Sequence, residues 1–242
     1  MRINRFYSPT PLQVGIEALL DTTAAAHAIK VLRLPVGSRI ALFDGNGGEY
    51  LAELIDTGKR PLARIVEHQP IERESPLAIT LVQAIARGER MDYTVQKAVE
   101  MGVKRIVPVI SERSVVKLDA SRAEKKHHHW QGVIRAACEQ CGRNRLPAID
   151  LPITLADFLA ANKSEGLRLV LNPLAKTTVA TLEPVKTMDL LIGPEGGFSE
   201  TEMKQIETAG FTGLRFGPRI LRTETAGVAV LGALQALWGD LS

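Results

Sequence analysis

Residues 77–86 are apolar at almost every position, the mark of a strand covered on both faces. Such a strand needs helices above and below it, which constrains the fold more than any other stretch. The next part of the chain supplies them. In residues 89–101, Met91, Val95, Ala98 and Val99 fall at i, i+4, i+7 and i+8, one buried stripe of a helix that Gly102 stops. Residues 103–110 read as a strand, 121–140 as a helix, and 167–171 and 188–192 as strands. Ser199 and Glu202 form a capping box for the next helix, with Phe198 and Met203 at its hydrophobic-staple positions. Residues 213–217 are a short strand, and 223–238 a helix that is apolar nearly all round. Alternating strands and helices give an α/β domain with a mostly parallel sheet. The last helix has almost no polar face, so either the core or a second copy of the chain must cover it.

The first 70 residues follow a different pattern. Residues 39–43 and 49–55 are strands around Asp44-Gly-Asn-Gly-Gly48, a hairpin with a glycine-rich turn, and 62–67 is another strand. No helix follows those glycines, so they are not a dinucleotide fingerprint. Gln69-Pro-Ile-Glu-Arg-Glu-Ser-Pro76 is polar with a proline near each end, which places a domain boundary there and divides the chain into 1–72 and 73–242.

With 45% hydrophobic and 24% charged residues, disorder and fibrous repeats are excluded. Two cysteines cannot build a disulfide framework, and a reducing compartment is expected. The longest apolar candidate, 226–238, contains Gln235 and falls short of the ~20 residues of a membrane span. The N-terminus carries charges but no apolar h-region, so the expected location is the cytoplasm. Net charge is only +3, but residues 87–146 hold 13 Lys/Arg against seven Asp/Glu. That segment is either a phosphate-facing surface or a solvated helical face.

His127-His128-His129, with Cys138 and Cys141 downstream, suggests a metal site. Three consecutive helical residues point about 100° apart, however, so four ligands do not converge and no metal is expected. The cysteines sit near a helix C-terminus, where nothing depresses a thiol pKa, which argues against redox chemistry.

Three loops carry the stronger signal. Gly193-Pro-Glu-Gly-Gly197 follows a buried strand and precedes a capped helix, the position where open α/β sheets bind ligands. It lacks both Gly-x-Gly-x-x-Gly and the Lys-Ser/Thr of a P-loop. Phe216-Gly-Pro-Arg-Ile-Leu-Arg-Thr-Glu-Thr-Ala226 is a second strand-to-helix loop, and Leu171-Asn-Pro173 a third. Together they can line a pocket for a small, partly apolar ligand.

Leu191-Ile-Gly-Pro-Glu-Gly-Gly-Phe-Ser199, Leu214-Arg-Phe-Gly-Pro-Arg-Ile-Leu-Arg-Thr-Glu-Thr-Ala226, Gln96-Lys-Ala-Val-Glu-Met-Gly102 and Ser111-Glu-Arg-Ser114 resemble the SPOUT class of RNA methyltransferases. Within that class they are most similar to the branch that methylates N3 of one uridine in 16S rRNA. His27-Ala-Ile-Lys-Val-Leu-Arg33 resembles the same branch's N-terminal PUA-like RNA-binding domain, so the likeness spans essentially the whole chain. Cys141 departs from it, standing where serine is expected.

The resemblance implies a small PUA-like β-barrel followed by a SPOUT domain with a deep trefoil knot over roughly 167–238. It implies S-adenosylmethionine as methyl donor, held by Leu171, Asn172, Gly193, Glu195, Gly196, Gly217, Ile220, Leu221 and Thr225. It further implies a homodimer acting on 16S rRNA of the small ribosomal subunit. Arg222 is expected to stabilise charge on the uridine, with Glu224 as the nearest carboxylate and Arg143 and Asn144 orienting the base, from this subunit or a partner. For Glu224 the alternative role is helix capping, for Arg143 a helix C-terminal charge, and for Glu195 loop scaffolding. RNA contacts are expected from Arg5, Lys30, Arg33, Arg113, Lys117 and Arg145. Two other functions remain open at this point: methylation of another rRNA or tRNA nucleotide, and RNA binding in ribosome assembly without catalysis.

Overall fold

A computed structural model describes residues 3–114, 119–161 and 164–241. The chain forms two compact units, Met1–Glu74 with Cys138–Leu146, and Ser75–Ala137 with Pro147–Ser242.

The first unit is built on a five-stranded sheet of β1 (Asn4–Tyr7), β2 (Glu17–Leu19), β3 (Arg39–Phe43), β4 (Glu49–Asp56) and β5 (Leu62–Gln69), in the order β1-β3-β4-β5-β2. The hairpin read from the sequence is β3–β4, with Leu42 opposite Tyr50. Register shifts between Leu51 and Ala52 and between Leu54 and Asp56 bend the β4–β5 pair. Among the described residues β1 does not pair with β2, so the sheet is a half-barrel rather than the closed barrel expected. Phe6, Leu20, Ile40, Leu42, Leu54 and Ile65 fill its core with α1 (Thr22–Ala25) and a π-helix, Ala26–Val31.

A charged lattice holds the rest of this unit together. Arg143 makes a two-point ion pair with Glu74, at 2.9 and 2.6 Å, and Arg145 pairs with Glu72 at 3.3 Å. Arg73 donates to Gly142 O at 2.9 Å. The amide of Asn144 donates to Ile71 O at 2.6 Å and accepts from Arg5 Nη2 at 2.7 Å, while Arg5 also pairs with Glu49. These bonds explain why residues 138–146, far along the chain, belong to the N-terminal unit.

The second unit comprises β6 (Ala78–Ala84), α2 (Glu89–Glu100), β7 (Arg105–Ile110), the first part of α3 (Ala120–Cys141), β8 (Ala148–Ile149), β9 (Ile153–Thr154), α4 (Leu155–Ala161), β10 (Leu167–Leu171), β11 (Thr177–Thr178), β12 (Thr187–Ile192), α5 (Glu200–Thr208), β13 (Thr212–Arg215) and α6 (Thr223–Trp238). All its strand pairs are parallel, in the order β11-β13-β10-β12-β6-β7-β8, with β9 beside β7. The run at 77–86 becomes the interior strand β6, between β12 and β7. Val82, Val107, Val170 and Leu191 pack on Phe158 of α4 and Ile206 of α5. Full burial of each such side chain contributes roughly 1.5–3 kcal/mol.

The apolar helix α6 resolves into two faces. Ala226, Gly227, Val230, Leu231 and Leu234 are buried, and α2 packs beside them. Gln235, the polar interruption of the run, is wholly buried and satisfied: its Nε2 donates to Met101 O at 2.8 Å and its Oε1 accepts from Ser75 Oγ at 2.6 Å. Thr225, Ala236 and Leu237 remain exposed within the single chain, Leu237 by 57%. No helix among the described residues is long and apolar enough to cross a membrane.

Candidate functional site

The carboxyl ends of β10, β12 and β13 open into one cavity of about 850 Å³, within the ~300–1,000 Å³ usual for small-ligand sites. Its walls are the three loops singled out in the sequence, with Met203, Lys204 and Glu207 of α5 and Arg90 of α2. Leu171 and Asn172 line it from the first, Gly193 and Glu195 from the second, and Gly217, Ile220, Leu221 and Arg222 from the third.

Each loop has a local reason for its shape. Asn172 Oδ1 accepts the Leu174 N–H at 2.9 Å, an Asx turn that reverses the chain after β10. Gly197 and Gly217 have φ of 66° and 73°, the left-handed region that side chains resist. A Cβ on Gly193 would lie 3.2 Å from the Phe198 ring, so the loop closes tightly there. The predicted capping box then starts α5: Ser199 Oγ accepts from Glu202 N, and Glu202 Oε2 from Ser199 N. Glu202 Oε1 also takes the Glu112 N–H at 2.7 Å, tying the turn after β7 to the same helix.

One hydroxyl joins the second and third loops. Thr223 Oγ1 donates to Gly193 O at 2.8 Å and accepts from Gln83 Nε2 at 3.0 Å. Gln83 is fully buried in β6, so a polar side chain in the most apolar strand serves to fix this contact.

The charges divide into paired and unpaired. Arg90, from the first turn of α2, donates to Glu195 Oε1 at 2.8 Å and lies 3.8 Å from Glu224 Oε1. Partial burial works against the Glu195 carboxylate. Its own backbone N–H, the Arg90 guanidinium and the Arg87 N–H outweigh that and lower its pKa, so Glu195 is an anion at neutral pH. Glu224 Oε2 is buried and accepts no hydrogen bond among the described residues. Arg219 and Arg222 are exposed at the cavity.

Of the other expected ligand contacts, Gly196 and Thr225 do not line the cavity. Gly196 O accepts from Arg113 Nη1 at 2.9 Å, and Thr225 is exposed on α6. Arg90, Phe198, Leu214 and Thr223, not expected from the sequence, do line it. Arg90 was invisible because its partners lie more than a hundred residues away; Thr223 was visible only as part of a Thr-Glu-Thr helix start.

Three expected site residues are packed inside the N-terminal unit. Arg143 is 3% exposed and Asn144 wholly buried, both engaged within the N-terminal unit, so neither side chain has a surface to present to a base or to a partner subunit. The Arg5 side chain is 10% exposed and already holds Glu49 and Asn144, which leaves it no face for RNA. Lys30 and Arg33 are exposed, Arg145 is half-exposed and paired, and Lys117 lies outside the described residues.

The histidines do not converge. His127 Nε2 contacts Ile149 O at 2.9 Å, and His129 Nε2 meets Asp92 Oδ2 at 2.8 Å. Among the described residues no three His, Cys, Asp or Glu side chains are grouped to hold a metal ion. Burial pushes the Cys138 thiol up to about 12, which makes it inert as a nucleophile.

A family model for the RNA methyltransferase domain matches residues 73–235, and one for the RNA methyltransferase PUA domain matches residues 20–66. The ribosomal RNA small subunit methyltransferase E of Buchnera aphidicola from Schizaphis graminum is 35% identical over 100% of this chain and 99% of its own length. The structure of a ribosomal RNA small subunit methyltransferase E from Neisseria gonorrhoeae bound to S-adenosyl methionine is 40% identical, with a TM-score of 0.92 and complete coverage of both chains. A Legionella pneumophila protein described as a methyltransferase, solved in complex with the bound cofactor SAM, is 41% identical with a TM-score of 0.96, again over both whole chains. With a relative 35% identical over the whole chain and the methyltransferase model matching residues 73–235, the chain belongs to the ribosomal RNA small subunit methyltransferase E family.

Proposed function

We propose that this chain methylates N3 of a specific uridine in 16S rRNA, with S-adenosylmethionine in the cavity at the ends of β10, β12 and β13. The observation that carries the reading is the Thr223–Gly193 bond, which joins two glycine-bearing loops into one cradle. The cradle suits the donor. It has apolar walls from Leu171, Leu214, Ile220 and Leu221 for a flat ring, and backbone groups at Gly193 and Gly217 brought close by the absence of a side chain. When bound, the donor supplies an electrophilic methyl group on a sulfonium.

The protein's own task is to present the uridine and manage its charge. Uridine N3 holds a proton between two carbonyls and is a weak nucleophile until that proton leaves. Glu224, which follows the cavity-lining Thr223 but does not itself line the cavity, is the carboxylate proposed to receive the proton when the bound base uncovers its buried, unpartnered Oε2. Arg222, exposed at the cavity, offsets negative charge that develops on the base. Fixed loops hold the reactants in line, which removes several kcal/mol of entropic barrier. Lys30, Arg33 and Arg113 supply phosphate contacts, a term that weakens with added salt.

The exposed positions Thr225, Ala236 and Leu237 of α6 support a homodimer in which a second copy covers them. The resemblance extends the proposal to a trefoil knot over roughly 167–238. The position of β10 between β12 and β13 supports it, since the chain must cross over β10 to reach β13.

The test is mass-spectrometric mapping of 16S rRNA from cells lacking this protein. One N3-methyluridine is expected to disappear and to return with the wild-type chain but not with Arg222→Ala. Loss of a different methylated nucleotide would instead support another target, and an unchanged rRNA would support a non-catalytic assembly factor.

A further inference from the structure

We infer that Arg90 is a positioning residue for this site, tying the Gly193–Gly197 loop, through Glu195, to the start of α6, through Glu224. The inference rests on the proposed function and adds to it a residue from a distant part of the chain.

Arg90 is the second residue of α2 and lines the cavity. Its two arms face two carboxylates. Nη1 bonds Glu195 Oε1 at 2.8 Å, and Nε stands 3.8 Å from Glu224 Oε1. Through the Glu195 bond the donor-side loop is moored to the first turn of α2. Glu224 sits in the first turn of α6, and Arg90 is the cation placed beside it among the described residues. With Glu224 Oε2 buried and unpartnered, the Arg90 contact decides where that free oxygen points. A planar fork can face two carboxylates at once, whereas an ammonium offers a single point of charge. The Arg90 and Glu195 side chains are 43% and 30% exposed, so their pair contributes little to global stability. A variant at Arg90 is therefore expected to fold.

The test is a pair of double-mutant cycles on the full chain. Equilibrium dialysis with S-adenosylmethionine reads the first arm: R90A and E195Q are each expected to raise Kd by roughly tenfold, and the double variant by no more than either alone. The value of kcat at saturating donor and RNA reads the second arm: R90A and E224Q are each expected to lower it, and their double variant no further than the worse single. R90K, which keeps the charge but not the fork, is expected to fall short of wild type in Kd or in kcat. Additive effects in either cycle overturn the inference, as does an R90A or R90K protein with wild-type Kd and kcat. A wild-type chain that binds no donor would count against the proposed function itself, a result that the dialysis separates from these.

Discussion

The two arginine-rich regions of the chain differ in what faces them. In the N-terminal unit, Arg143, Arg145 and Arg5 meet Glu74, Glu72 and Glu49, while Arg73 caps a carbonyl. At the cavity, Arg219 and Arg222 are exposed and make no ion pair among the described residues. Charge that is clustered in sequence is thus spent on structure in one place and left available in the other. Within the positive segment 87–146, Arg105, Arg143 and Arg145 are of the first kind, each with a carboxylate partner, while Arg90 is paired at the cavity itself. Exposure and pairing, not sequence charge, separate an anion-binding arginine from a structural one.

The sharpest way to break this contrast is to remove one arginine from each region. Arg222→Ala is expected to lower kcat by about 10²–10³-fold, the range for loss of one preorganised charge-stabilising donor. Its stability should stay within ~0.5 kcal/mol of wild type in urea titration. Arg143→Ala should do the opposite, destabilising the fold by about 3 kcal/mol because Glu74 is left largely buried and unpaired. A stable but inactive Arg143→Ala protein would collapse the distinction between the two regions.

Arg33 sharpens the comparison, since it is an exposed arginine in the N-terminal unit. Among the described residues it is the non-glycine with positive φ, 53°, just past Leu32, the C-cap of the π-helix. Leu34 N–H reaches back to Ala28 O at 3.0 Å, the kind of helix end that usually carries glycine. Arg33→Gly should raise stability by ~0.5–1 kcal/mol while weakening rRNA binding and making its salt dependence shallower. Stability and affinity that fall together would assign Arg33 to structure.

The smallest expected effect lies at Glu139. Burial raises its pKa, opposed by the hydrogen bond it accepts from the Tyr7 N–H at 2.9 Å. The folded chain therefore holds this proton more tightly than the unfolded chain. The stability it contributes is present below the ordinary carboxylate value and is lost as pH rises through the raised one. Glu139→Gln keeps an acceptor for Tyr7 and should gain stability relative to wild type at pH 7 but not at pH 4, measured by urea titration at both.

Much of the second unit was legible because long elements repeat their pattern. Helix α6 spans the Thr223–Trp238 that its Thr-Glu-Thr start and apolar run predict, and the Ser199–Glu202 box forms as spelled. The four-residue β1 and the two-residue β8 and β11 carry no measurable period, and the π-helix has none to read. Of the site, the loops could be found because glycine and proline mark strand ends. The roles of Gln83, Arg90 and Thr223 could not, since they rest on contacts between distant strands and helices. The surroundings of Asn144 were hidden for the same reason: a motif shows residue type and order, but not that Ile71 and Arg5 bond the side chain.

Equilibrium dialysis of the wild-type chain and Thr223→Val with labelled S-adenosylmethionine tests the central claim most directly. Valine keeps the shape of threonine but leaves the Gly193 carbonyl and the Gln83 amide without their shared hydroxyl. The expected result is saturable binding of one donor per wild-type chain, weakened about tenfold in the variant. A wild-type chain that retains no donor, or a variant that binds it equally well, would contradict a cavity built by joining those two loops.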